Sequence, residues 1–435
     1  MSHAFIVHGE DQVDTLLELT EHLRQAGIAA KYVASDRPDP DAVDAVIDAA
    51  SFAIVLISYE AMRSRDVKRD IERASQKGLQ IIPVRADRTK LTGFIKTELG
   101  KSLSLTTDDM GAIVEAASRA YRQSCPVIAV MNMKGGVGKT TVTAQLAGST
   151  QARKANRVLM IDFDPQYNLT QLFFPASEAD EAAARDASVI SLFEKSRLHQ
   201  AGQPSPADQW GALSTEPFAP APRDRIVHRV LTDDDGKGRL DIIFGQFEIS
   251  KYAFSTDQTG LEAVRQNFLR TLDYYRGQYD LILLDTNPNA TFLTRCALEA
   301  ADRVVAPVHT DIYSLRGLRL LNRVIEDQTM TSKRPDLSVL FNAVERREQS
   351  DFEADTRNGA FDEKVGFALS SSILTAVLPR SRHFLVRVAE DDPPIRRLLT
   401  HHGRGGGLRH IRKALNELSM ELDGLSDKVD IAAAA

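Results

Sequence analysis

Short apolar runs recur along the chain, each bounded by polar or turn-forming residues and followed by a stretch with helical spacing. The first are AFIVH (4–8), AKYVA (30–34), FAIVLIS (52–58) and LQIIPVRA (79–86). Helical patterns over 13–26, 41–50 and 64–77 separate them, and another over 110–123 closes the segment. Nearly continuous apolar strands alternating with helices predict a parallel α/β sheet, buried on both faces. At Cys125 and Pro126 the pattern restarts with PVIAVMN (126–132), a glycine-rich loop and a helix over 140–153. Further buried strands follow in VLMIDFD (158–164), RLDIIFG (239–245), YDLILLD (279–285), RVVAPVH (303–309) and LSVLFNA (337–343). The segment 175–235 is rich in Ala, Pro, Ser and Asp and reads as an insertion of short helices and loops. The expectation is two α/β domains, 1–123 and 124–435, with no internal repeat.

Composition narrows this picture in a few places. A chain of 435 residues is long for one core, which agrees with two domains. Its net charge of −6 gives no global attraction to nucleic acid, so such a site would have to be a local basic patch. Two cysteines, Cys125 and Cys296, make no disulfide framework. The N-terminus turns polar and acidic too early for a secretory signal, and no apolar run approaches the roughly 20 residues that span a bilayer. The expected location is the cytoplasm, with no membrane partner.

The candidate chemistry lies in KGGVGKTT, residues 134 to 141, between a buried strand and a helix. In a P-loop, backbone N–H groups cradle phosphates, a lysine reaches the β/γ oxygens and a hydroxyl holds Mg²⁺. Gly138, Lys139 and Thr140 supply the end of that pattern, with Gly135, Gly136, Val137 and Thr141 around them. Met133 stands where the usual pattern has its first glycine, and Lys134 is an extra lysine. Asp285 ends one strand, where a Walker B carboxylate would sit, and Asp162 and Asp164 end another. Carboxylates at strand C-termini line ligand crevices in open α/β sheets.

These residues resemble the ParA/MinD group of P-loop ATPases with the deviant Walker A motif. The resemblance runs from about 126 to 422 through KGGVGKTT, VLMIDFDPQYNLT, YDLILLDTNPN, ADRVVAPVHTDIYSLRGL and VLPRSRHFLVRVAEDDPPI, and DPQ with YSLRGL favours the ParA branch. It implies a mostly parallel P-loop NTPase sheet of the SIMIBI class flanked by helices, with ATP and Mg²⁺ as cofactors. It implies that Lys139 and Thr140 bind phosphate and Mg²⁺, that Asp162 and Asp285 support the metal, and that Asp164 positions the attacking water. Asn342 and Pro379 would line the adenine pocket. Lys134 would be the signature lysine, reaching the nucleotide of a second subunit in an ATP-bound homodimer. After YDLILLDT this chain has Asn287 where the family has proline. The family binds double-stranded DNA nonspecifically, and Arg346, Arg380, Arg382, Arg404, Arg409 and Arg412 form the corresponding basic trend, with Arg347, Arg396, Arg397 and Lys413 nearby.

Residues 3 to about 105 resemble a bacterial Toll/interleukin-1 receptor (TIR) domain through HAFIVHGEDQ, FAIVLISYEAMRSRDVKRDIERA and GLQIIPVRAD, which implies a flavodoxin-like parallel sheet. In TIR domains that cleave NAD⁺ a pattern similar to S-x-W-x-x-x-E carries the catalytic glutamate. On this chain the serine falls on Ser64, the tryptophan on Asp66 and the glutamate on Asp70. Both marker residues have changed, and catalytic carboxylates are sensitive to shifts of about 1 Å. Three functions are compatible with the sequence, one of them a scaffold in which neither domain turns over a substrate. Another is an ATP-driven switch in the cytoplasm, associated with the nucleoid, that dimerises and binds DNA, with the N-terminal domain for TIR–TIR or accessory-protein contacts. The third is a TIR NAD⁺ hydrolase of phage-defence type governed by the ATPase.

Overall fold

The computed structural model describes residues 3–33, 40–91, 93–99, 105–154, 156–234, 236, 238–327, 334–345, 354–355, 358–366, 369, 372–384, 397–401 and 408–432. Two compact units result. The first is Met1–Cys125 with Asp273–Gln278, and the second is Pro126–Leu272 with Tyr279–Ala435.

In the first unit β1 (His3–Val7), β2 (Ala30–Tyr32), β3 (Ala50–Ile57), β4 (Gln80–Arg85) and β5 (Leu105–Thr106) form one parallel sheet in the order 2-1-3-4-5. That order is the flavodoxin-like one, with its switch point between β1 and β3. Side chains alternate faces along a strand. Ala4, Ile6, Phe52, Ile54 and Leu56 therefore join Leu16, Leu19, Leu23 and Ile113 in one core, while Phe5, Val7, Val55 and Ile57 meet Val43, Ile47, Val67 and Ile71 in another. A sheet covered by helices on both faces explains why its strands read as unbroken apolar runs.

The second unit is an eight-stranded sheet built from β6 (Val127–Val130), β7 (Arg157–Asp162), β8 (His228–Thr232), β9 (Arg239–Ile243), β10 (Leu281–Asp285), β11 (Arg303–Val308), β12 (Asp336–Val344) and β13 (Ile373–Pro379). Its order is 13-12-11-6-10-7-9-8, and every pairing is parallel except β8 with β9. β6 enters at the centre, between β10 and β11. The C-terminal helix (Arg409–Ala432) buries Ile411, Leu415, Leu418 and Leu422 in the same core as Val142 and Leu146 of the P-loop helix (Lys139–Lys154). Ser149 donates to Asn416 at 2.9 Å between the two helices.

One expectation is corrected here. The segment 175–235 is not a simple insertion, because its end forms β8 and closes the sheet edge antiparallel to β9. Its middle is core as well, since Val189, Ile190, Leu192 and Phe193 are buried and Phe193 stacks on Phe268 with centroids 4.7 Å apart. Small and polar residues hid these contributions, because only short stretches of the segment turn inward.

Candidate functional site

β6, β10 and β7 run side by side in register, Asp285 beside Asp162 and Val130, so their C-terminal ends gather the loop and the acidic residues at one place. Asn132 is fully buried and sets the start of the loop: its Nδ2 donates to Pro307 O at 2.9 Å and its Oδ1 accepts from Lys134 N at 3.0 Å. Gly136 (φ 76°) and Gly138 (φ 91°) then turn the chain through the left-handed region. At Gly138 a Cβ would also run into Asn342 Nδ2. Around Gly135 and Gly136 there is open space within 4 Å, the room a phosphate needs against exposed N–H groups.

Lys139 opens the helix, is 8% exposed and donates Nζ to Lys134 O at 3.2 Å; burial pushes its pKa down, opposed by Asp285 and Asp164. Thr140 Oγ1 donates to Asp285 Oδ2 at 2.7 Å, and Thr143 Oγ1 donates to Asp285 Oδ1 at 3.2 Å. Asp285 has no exposure, and burial raises its pKa to about 7 in spite of those hydroxyls. A buried carboxylate of this kind, facing a hydroxyl across 2.7 Å, is a hard-oxygen donor set suited to a small divalent cation. Among the described residues no group of three or more His, Cys, Asp or Glu is arranged to hold a metal by itself, so a cation here would also need oxygens from a nucleotide or water.

Asp162, expected to support the metal, is engaged on both carboxylate oxygens by its own chain. It has no exposure, its Oδ2 accepts from Thr170 N and Thr170 Oγ1, both at 2.8 Å, and its Oδ1 accepts from Asp164 N at 3.2 Å. Both oxygens are thus engaged in tying down the loop 163–170, and burial together with Asp285 raises its pKa. Gly245 makes that close packing possible, since a Cβ there would lie 2.8 Å from Asp162 Cγ and 2.7 Å from Tyr167 Cβ. Asp164 remains half-exposed on the loop, with Oδ1 accepting from Gln166 N at 3.0 Å.

Lys134 is held within its own chain. Its Nζ reaches Asp311 at 2.8 and 3.0 Å and Ser314 Oγ at 3.2 Å, at the start of the helix Ile312–Glu326. Burial would raise the Asp311 pKa, but hydrogen bonds from Lys134 and Ser314 hold it well below the usual carboxylate range. Gly317 lets that helix come close, because a Cβ there would meet Asn132 Oδ1 and lie 3.2 Å from Lys134 N.

Asn342 Nδ2 donates to Val137 O at 2.8 Å, so it braces the phosphate loop, and Pro379 ends β13 opposite Val344. Arg346 and Arg404, with Arg347 and Arg396, lie outside the described residues. Arg380 is exposed beside Glu345 at 3.2 Å, and Arg382 and Arg409 are exposed. Arg412 is not a free surface cation: it is half-buried and donates to Leu399 O at 2.9 Å. Arg397 likewise is buried and donates to Phe173 O at 3.0 Å. In the first unit Ser64 caps the helix Arg65–Gln76 by accepting from Val67 N, and Asp70 lies on the buried face of that helix at 2% exposure.

Sequence reasoning missed Thr143, Asn132, Asp311 and Ser314. Thr143 was within reach, three residues past Thr140 on one helix face. Asp311 had the look of a helix N-cap, which it is, accepting from Tyr313 N and Ser314 N at 2.9 Å. Its second task became visible only when β11 was placed next to β6.

A glycine loop between a central parallel strand and a helix, beside a buried carboxylate, defines a P-loop nucleotide-binding unit. Residues 125–339 match the model of a family described as an AAA domain. The chromosome partitioning protein ParA of Caulobacter vibrioides is 31% identical over 268 residues, which cover 61% of this chain and 82% of that protein. The sporulation initiation inhibitor protein Soj of Bacillus subtilis is 30% identical over 204 residues, 46% of this chain and 64% of Soj. An uncharacterised protein of Mycobacterium tuberculosis is 28% identical over 230 residues, and the chain spans only 61% of its length. Among solved structures, pNOB8 ParA aligns with a TM-score of 0.48 at 22% identity, covering 70% of this chain and 99% of that one. The chain belongs to the ParA/MinD-type P-loop ATPases.

Proposed function

We propose that this protein is an ATP-driven switch: it binds ATP and Mg²⁺ at the loop 134–141, pairs with a second copy, binds double-stranded DNA nonspecifically and reopens on hydrolysis. The observation that carries the reading is the convergence of Lys139, Thr140 and buried Asp285 on an open glycine cradle, in a chain related to a chromosome partitioning protein. In this reading the loop N–H groups and Lys139 hold the phosphates. Thr140 and Asp285 would hold Mg²⁺, which would supply positive charge beside the phosphates. Asp162 fixes the loop from which Asp164 orients the attacking water. Lys134 exchanges Asp311 for the partner's nucleotide, stabilising charge on the transferring phosphoryl group in the manner of an arginine finger. Arg380, Arg382 and Arg409 supply exposed charge for DNA phosphates.

The first unit serves here as a protein-binding module. Its strand order, together with the segments noted in the sequence, supports a TIR-like fold. NAD⁺ cleavage is left out of the reading because Ser64 is engaged as a helix cap and Asp70 is turned inward.

The test measures ATP turnover and a DNA mobility shift. A shift that requires ATP, weakens steeply with salt and is lost in Lys134→Ala, while that variant still binds ATP, is the expected result. A shift that is equal without nucleotide, or in Lys134→Ala, would sink the switch.

A further inference from the structure

Charge is divided sharply within the first unit. Residues 10–21 carry five Asp or Glu and no Lys or Arg, whereas residues 63–96 carry ten Lys or Arg against four Asp or Glu. The helix Val13–Gln25, which bears most of the first group, buries Leu16, Leu19 and Leu23 against one face of the sheet. The helices Arg65–Gln76 and Gly93–Leu99 bury Val67, Ile71, Ile95 and Leu99 against the other. The net charge of −6 therefore conceals a basic face, on the opposite side of the sheet from the acidic helix.

Local geometry gathers these cations. β3 and β4 pair in register as far as Ile57 and Arg85, and Tyr59 N donates to Asp87 Oδ2 at 2.8 Å, which places the helix Tyr59–Arg63 beside the loop after β4. Arg63 lies 5.3 Å over the Tyr59 ring and donates to its hydroxyl at 2.7 Å. Ser64 ends that helix and caps the next, so Arg65 and Lys68 fall on its first turn. Arg88 and Lys90 lie on the loop after β4, and Lys96 on the helix that shares a core with Arg65–Gln76. All six of these cations are exposed. Arg73 is paired with Asp48 at 3.2 Å and Arg69 with Asp70 at 3.8 Å, but among the described residues Arg65, Lys68, Arg88, Lys90 and Lys96 enter no ion pair. Glu60, Asp66 and Glu72 are the exposed carboxylates of the same span, too few to balance it.

We propose that this face of the first unit is a separate contact surface for double-stranded DNA, on which the six cations neutralise backbone phosphates and the Tyr59 hydroxyl supplies a further hydrogen-bonding group. The partner follows from the make-up of the surface. Among the described residues of 59–96, Tyr59 is the only large apolar side chain that is exposed, whereas the centre of a protein–protein interface is apolar. DNA interfaces are polar and positively charged, and contacts from Arg, Lys and Tyr to phosphate need no base readout. Residues 59–96 lie outside the segment 125–339 that matches the family model, so the surface is additional to whatever the second unit offers. The inference rests on the reading above for its partner, DNA. It adds an anchor made of fixed surface charge, which holds DNA weakly without a nucleotide and keeps the protein on it between cycles of hydrolysis.

The test is an electrophoretic shift of the full chain on double-stranded DNA across a salt series, with and without ATP. The triple variant Arg65→Gln, Lys68→Gln, Lys90→Gln should bind about tenfold more weakly in both conditions, and its log affinity should fall with log salt on a slope shallower by about 2 to 3. ATP turnover without DNA should stay within about twofold of the wild type, which also shows that the variant is folded. Arg24→Gln, a loss of one charge on the acidic helix, should leave DNA affinity within about twofold. If the triple variant keeps the wild-type affinity and slope while ATP still raises the affinity of both, the surface is overturned and the switch stands. Weaker binding on an unchanged slope, or a wild-type oligomer in sedimentation without DNA that the variant loses, would also overturn it, because the face would then meet protein rather than phosphate. If ATP leaves the wild-type affinity unchanged and the triple variant still binds more weakly on a shallower slope, the switch fails and the surface stands. A wild type that binds no DNA in either condition overturns both.

Discussion

Both sheets end their central strands in loops at the C-terminal edge, and the two edges use polar residues in opposite ways. Among the described residues of the first unit, the polar groups of Ser58, Asp11, Asp87 and His8 there are engaged by their own neighbours. Ser58 donates to Asp11 at 2.9 Å and caps Ala61 N, Asp87 accepts from Tyr59 N and Thr89 N, and both His8 ring nitrogens meet backbone carbonyls. In the second unit the glycine cradle is open, and Asp285 is buried with a pKa raised to about 7. The same fold logic gives a closed edge where caps consume the polar groups and a reactive edge where charge is buried ahead of a ligand. Unrelieved electrostatic cost marks a binding site better than strand order does.

The largest break in this comparison should come from Lys139→Ala, which is expected to lower ATP affinity by about 100-fold or more, a loss of about 3 kcal/mol. Ser58→Ala on the closed edge should leave ATP affinity within about twofold and reduce stability by about 1 kcal/mol. Calorimetric titration and urea denaturation read the two effects, and a Ser58→Ala protein that loses ATP would remove the contrast.

Asp285→Asn should reduce ATP turnover by about 100-fold while raising the nucleotide-free melting temperature by a few degrees, because a buried charge is relieved. A lowered melting temperature would show that Asp285 is already well compensated by Thr140 and Thr143.

Gly138→Ala should destabilise by about 1–2 kcal/mol from the left-handed backbone alone, and more from the collision with Asn342. Gly135→Ala, where nothing lies within 4 Å, should change stability by less than about 0.5 kcal/mol. Equal effects at the two glycines would mean that the loop rearranges freely.

The smallest effect concerns pH. Burial lowers the His199 pKa from 6.5 to about 4. The unfolded chain takes up a proton near 6.5 and the folded one only near 4, so this contribution is complete above pH 6.5 and is lost as the pH falls toward 4. Urea midpoints at pH 7 and pH 5 should differ less in His199→Gln than in the wild type. An unchanged difference would assign the acid sensitivity elsewhere.

No helix among the described residues is long and apolar enough to cross a membrane. Much of the architecture was legible because its cause is local. Unbroken apolar runs such as FAIVLIS and LILLD can only be strands covered on both faces, and a glycine loop between such a strand and a helix has few other uses. Lys139, Thr140 and Asp285 could be named from the chain alone for that reason. Strand β8 and the buried middle of 175–235 could not, because a short strand at a sheet edge has no periodicity of its own and takes its identity from β9.

The roles of polar residues divide along the same line. The sequence determined which carboxylates and lysines reach the strand ends, since a motif fixes residue type and spacing. Only the tertiary structure decided that Asp162 braces a loop, that Asn342 supports Val137, that Arg412 and Arg397 turn inward and that Lys134 rests on Asp311. Those outcomes depend on which strand lies beside which, 177 residues apart in the case of Lys134 and Asp311. Hydrogen bonds between elements so distant in the chain exist only once the sheet order is set, and that order is a property of the whole core.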